Sequence, residues 1–114
     1  MKRIAYSETE VATDDHLADL VLQYATLLAR SGGADTVVFP GIVHGGFVES
    51  VSMLIGPASQ LTAWQDGEPF PGDVTDAVAE LDRRIGLLSA GIAPEDAEDG
   101  SFDDFDEPGG PRPS

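Results

Sequence analysis

The chain has 114 residues, 41% of them hydrophobic, no cysteine, and a formal net charge of −15 from 21 acids against six bases. That length suits one domain with a modest core, and the missing cysteine excludes disulfides, thiolate nucleophiles and cysteine–zinc sites. The charge disfavours DNA, RNA and anionic lipid as partners, since all three are polyanions, and Lys2/Arg3 and Arg83/Arg84 are too few for a nucleic-acid footprint.

The first residues, MKRIAYSETEV, are basic but lack the apolar stretch of a secretory signal, and no run approaches the roughly 20 apolar residues of a membrane span. A cytoplasmic location is the expectation. Ile4 and Tyr6 alternate with Arg3 and Ala5, which predicts a short strand over 2–6. Glu10, Val11 and Ala12 return as the second half of a small hairpin.

Asp14 to Arg30 carries the strongest pattern. Leu17, Leu20, Val21, Tyr24, Leu27 and Leu28 recur at helical spacing and line one stripe. Thr13 is the expected N-cap. Asp14 and Asp15 sit at the positive end of the helix dipole and Arg30 at the negative end. Ser31-Gly32-Gly33 stops the helix, since glycine enters the left-handed conformation without penalty.

Asp35 to Pro40 is β-branched and aromatic and reads as a strand, with Pro40 marking its end or an edge. Phe47, Val51, Met53 and Ile55 share one face of the next strand, while Val48, Ser50, Ser52 and Leu54 share the other. Val37–Phe39 and Val48–Ile55 are therefore expected to form an antiparallel hairpin around the glycine-rich GIVHGG loop. Gln60 to Trp64 is read as a third strand of that meander. Asp73 caps a second, thinner helical stripe of Val74, Ala77, Val78, Leu81, Ile85 and Leu88, which Gly91 ends. The expected class is α+β: a small, mostly antiparallel sheet packed against two helices. A parallel pairing of the first strand with Val37–Phe39 is the alternative.

Residues 1–91 are expected to form the single domain. Residues 92–114 carry eight acids and one arginine and end in PGGPRPS, too little apolar surface to offset ordering entropy, so this tail is expected to be disordered.

The chemistry-bearing residues are few. His16 and Asp19 stand one turn apart, but two ligands make no metal site. The HGG at His44 has an oxyanion-loop look without any G-x-S-x-G, and it lacks the ending of a phosphate cradle. A calcium loop with Gly100 at its sixth position places Ala97 at the third and Asp106 at the twelfth, and has no exit helix. No cofactor, metal or catalytic set is expected, and no enzyme. The expected partner-binding residues are Phe102, Asp103, Asp104, Phe105 and Asp106, two aromatic anchors in an acidic field, together with His44 at the hairpin loop.

KRIAYS followed by TDDHLADLVLQYATLLAR, and the later VSMLIGPASQL, resemble a group of short acidic actinobacterial proteins of unknown function. The resemblance covers roughly residues 3–62. It implies a cytosolic protein and brings no activity, cofactor or catalytic residue. The function expected from the residues is a non-enzymatic protein–protein interaction module with a protein partner, basic in character. A nucleic-acid-mimicking regulator of a basic DNA-binding protein is one alternative. A small-ligand domain with a pocket near Trp64 and Phe70 is another. The limited core leaves room for a homodimer.

Overall fold

A computed structural model describes residues 1–90. The order is β1 (Lys2–Tyr6), β2 (Thr9–Thr13), α1 (Asp15–Ser31), β3 (Asp35–Gly41), β4 (Glu49–Ile55), β5 (Leu61–Gln65) and α2 (Thr75–Ser89). The class is α+β, with one antiparallel sheet in the order β2-β1-β5 and a second made of β3 and β4. Gly91 and the tail residues Phe102 to Asp106 lie outside the described residues. No helix among the described residues is long and apolar enough to cross a membrane.

Local chemistry explains most of these elements. β1 and β2 are joined across Ser7-Glu8, and Ser7 takes a left-handed φ of 58° at the first turn position, as a two-residue hairpin demands. The α1 cap falls one residue later than expected. Asp14 accepts from the backbone N–H groups of His16 at 2.9 Å and Leu17 at 3.1 Å. Thr13 is instead fully buried, and its hydroxyl donates to Pro40 O at 2.8 Å. Both residues can cap; the carboxylate adds charge at the helix start, and the hydroxyl fits an interior site with one acceptor. At the other end Gly32 takes φ 72°, and the Gly33 N–H reaches Leu28 O at 3.0 Å.

The hairpin of β3 and β4 pairs Val37 with Met53 and Phe39 with Val51. β5 does not extend it. It pairs antiparallel with β1, so that Ile4 stands between Val11 and Ala63. The third-strand expectation is thus corrected: alternation identifies a strand but not its neighbour, and a segment half-buried on one face finds its partner through tertiary packing. The parallel pairing of β1 with β3 does not occur either.

One core serves every element. α1 contributes Leu17, Val21, Tyr24 and Leu28, and the hairpin contributes Val37, Phe39, Met53 and Ile55. α2 adds only Leu81 and Ile85 as buried residues. Each fully buried aliphatic side chain stabilises by about 2 kcal/mol, so α2 is held by much less apolar burial than α1.

The two sheets meet at Gly41 and Ile42. Ala12 and Ile42 exchange backbone hydrogen bonds of 2.9 and 2.8 Å. The crossing leaves no room for a side chain at Gly41, where a Cβ would lie 2.7 Å from Val11 Cγ1 and 3.3 Å from both Ala12 O and Val51 Cγ2. Replacing Gly41 with alanine forces β2 and β3 apart. An urea titration of Gly41→Ala is expected to show a loss of about 2 kcal/mol; an unchanged midpoint would mean that the crossing is looser than described.

Candidate functional site

Asp35, at the start of β3, receives two donors from two helices. The Tyr24 hydroxyl of α1 donates to Asp35 Oδ2 at 2.6 Å, and Arg84 of α2 donates to the same oxygen at 2.8 Å. Arg84 also donates to Thr36 O at 3.0 Å and to Glu80 Oε2 at 2.6 Å. Burial, followed by the hydrogen bond to Asp35, pushes the Tyr24 phenol well above its usual range. Hydrogen bonds from Arg83 and then Arg84 hold the Glu80 carboxyl down to about 2, although partial burial opposes them.

This network fixes the first half of α2 against the edge of β3 that faces away from β4. Along that edge Thr36 O takes Arg84, Pro40 O takes Thr13, and Ile42 pairs with Ala12. Pro40 has no N–H, so the edge leaves no donor unpaired there.

Between α2 and the hairpin runs a groove of about 400 Å³. Val38, Pro40, Val48 and Ser50 form one side, and Asp76, Ala77 and Glu80 form the other. Val38 is 59% exposed, and Phe47, one residue before Val48, is 86% exposed. The outward face of the hairpin continues the uncharged surface, through the cross-strand pairs Pro40–Ser50, Val38–Ser52 and Thr36–Leu54. Gly72 packs tightly beside Val48, since a Cβ there would meet the Phe70 ring at 2.7 Å and Val48 Cγ1 at 3.2 Å.

The carboxylates are unevenly engaged. Asp15 pairs with the N-terminal ammonium, Asp19 with Lys2, and Glu10 and Asp66 with Arg3. Asp14 caps α1. Asp73 is not the cap expected for α2, whose N-cap is Val74 without a side-chain hydrogen bond; Asp73 instead accepts from the Thr75 N–H and hydroxyl. At the groove, Glu49 and Asp76 have no ion-pair partner among the described residues. The result is an apolar floor with free negative charge at its rim, suited to an apolar side chain flanked by cations.

The residues singled out from sequence fall elsewhere. His44 is exposed at the hairpin tip and does not line the groove. Phe102, Asp103, Asp104, Phe105 and Asp106 lie outside the described residues. His16 is exposed, and no group of three metal-ligating side chains comes together among the described residues. Trp64 is 41% exposed on β5, and Phe70 stacks over Gly72 beside Val48. Val38 and Ala77 were missed as site residues. The available signal was Val48 appearing on the serine-bearing side of β4, where polar residues are expected.

Comparison with protein-family models, curated proteins and solved structures yields no match.

The Glu80 carboxyl gives a pH-dependent prediction. Its folded-state value lies below the ordinary 4.5, so its contribution is complete above that value and fades as pH falls towards 2. The side chain is 41% exposed, and solvent screening limits the contribution to about 0.5–1 kcal/mol. Glu80→Gln is expected to be destabilised by this amount at pH 7 and to match the parent near pH 2. A constant gap across that range, read by urea titration, would mean that the charge on Glu80 does not hold α2.

Proposed function

We propose that this protein is a protein-interaction module that docks a basic polypeptide segment in the groove between α2 and the β3–β4 hairpin. The observation that carries this reading is exposed Val38 lining the groove with the unpaired carboxylates of Glu49 and Asp76, and exposed Phe47 one residue before the groove-lining Val48. Apolar side chains this open to water weaken solubility unless a partner covers them. An apolar anchor entering the groove supplies the affinity, and Lys or Arg on either side of it meets the rim charges, which speed encounter more than they tighten the complex. The acidic tail, outside the described residues, adds a second field of the same sign and draws the same class of partner.

The test is fluorescence anisotropy with labelled peptides. One peptide carries two leucines flanked by lysines, a second replaces the leucines with serine, and a third replaces the lysines with glutamine. The first is expected to bind with a dissociation constant on the order of 10 µM, and the other two at least tenfold more weakly. Its affinity is expected to fall roughly three- to tenfold between low and moderate salt. Val38→Ser and Phe47→Ser are each expected to lose about 1–2 kcal/mol of binding. Equal binding of the serine peptide, or full binding by both variants, would reduce the interaction to polyelectrolyte attraction and end the groove reading.

A further inference from the structure

A second cleft lies away from the groove and shares no lining residue with it. It occupies about 630 Å³ between the β1–β2 turn, the end of β4 and the loop leading to β5, within the range of small-molecule sites. We propose that this cleft binds a neutral, hydroxyl-rich ligand of the saccharide class.

The lining selects that chemistry. The protein has a net charge of −15, yet none of the residues lining this cleft is charged. An anion would meet no cation there and would be repelled by the whole molecule. Glu8 adjoins the turn but does not line the cleft, so a cation gains nothing from this lining over the carboxylates elsewhere on the surface. A purely apolar ligand would strip water from the Ser7 hydroxyl and the Gln60 carboxamide, which have no partner among the described residues, and such desolvation is unfavourable. What remains is a molecule with apolar C–H faces and hydroxyl edges. The Tyr6 ring, Leu54 and Pro57 offer the apolar surface, and Ser7, Ser59 and Gln60 offer donors and acceptors around it.

The walls are held before any ligand arrives. The Tyr6 hydroxyl donates to Leu54 O, which orients the ring and leaves the phenol oxygen free to accept. In the loop, the Gly56 N–H donates to Ser59 Oγ at 2.9 Å and the Ser59 N–H to Gly56 O at 3.1 Å. Ser7 keeps its left-handed φ of 58° at the rim of this cleft. Glycine meets that backbone geometry without strain, whereas serine brings a hydroxyl to the rim.

The experiment is a titration of ¹⁵N-labelled full-length protein with D-glucose, N-acetylglucosamine and maltose, followed by amide chemical shifts. Glucuronate and glucosamine serve as charged counterparts. At least one neutral sugar is expected to shift the Ser7, Ala58 and Gln60 amides with a dissociation constant on the order of 1 mM, glucuronate to bind roughly tenfold more weakly, and glucosamine to bind no more tightly than the neutral sugar. Ala58→Trp, at an exposed position, fills the cleft and is expected to abolish the shifts with an unchanged melting temperature. Gln60→Ala is expected to weaken them several-fold. Phe47→Ser, in the other surface, leaves them intact, so the two readings fail separately. No shift from any neutral sugar up to about 50 mM, equal binding of glucuronate, tighter binding of glucosamine at these amides, or undiminished shifts in Ala58→Trp would overturn the proposal.

Discussion

The carboxylate of Asp35 is the point on which the arrangement of α2 depends. It stands half-buried at the start of β3 and holds Tyr24 from one helix and Arg84 from the other on a single oxygen. Neither donor is easily released. Tyr24 is fully buried, and removing its acceptor leaves an unsatisfied hydroxyl, worth about 1–3 kcal/mol. α1 would still be held by its long apolar stripe. α2 fully buries only Leu81 and Ile85, with Ala77, Val78 and Leu88 partly buried against the same core, so the polar clamp adds to a thinner apolar contact in fixing its position and rotation. Breaking one partner of such a clamp is more damaging than never having had it, since the remaining charge stays half-buried.

The groove follows from that placement. Arg84 reaches both Asp35 and Thr36 O, which brings the first half of α2 alongside the outer edge of β3 and sets Ala77 opposite Val38. Thr36 O, Pro40 O and Ile42 on that edge are taken, which limits strand addition, a hazard that open strands otherwise carry. The same approach leaves Val38 facing a trough instead of a neighbour. Charge is then sorted by location. Around β1 and the start of α1 the acids meet the N-terminal ammonium, Lys2 and Arg3, while Glu80 and Asp35 take Arg83 and Arg84, and at the groove Glu49 and Asp76 are left over. A high negative total thus becomes a local pattern of neutral floors and charged rims.

Legibility in the sequence tracks the range of the interactions. α1 was readable because its signals are local: an apolar residue every third or fourth position, a cap, and paired glycines at the end. Even there, Thr13 and Asp14 could both cap, and only the acceptor at Pro40 O, 27 residues away, decides between them. The β3–β4 hairpin was readable from alternation. The partner of β5 was not, because the Leu61–Gln65 pattern says that one face is partly buried and says nothing about β1. The clamp joins residues 11 and 49 positions apart, and no spacing rule links an aspartate, a tyrosine and an arginine so distributed. The groove was visible only as an anomaly, in Val48 on the serine side of β4. His44 drew notice through its glycines, yet those glycines serve the hairpin tip, where Gly45 adopts φ 61°.

The most direct measurement is an amide chemical-shift map of the full-length protein with the lysine-flanked leucine peptide, repeated on Arg84→Met. If the clamp builds the docking surface, shifts concentrate at Val38, Val48, Ser50, Asp76 and Ala77 in the parent. They are then lost or dispersed in Arg84→Met, while the core signals of Ile4, Leu17 and Met53 persist. Shifts spread over the acids of α1, or an unchanged map in Arg84→Met, would contradict both the groove and the role given to Asp35.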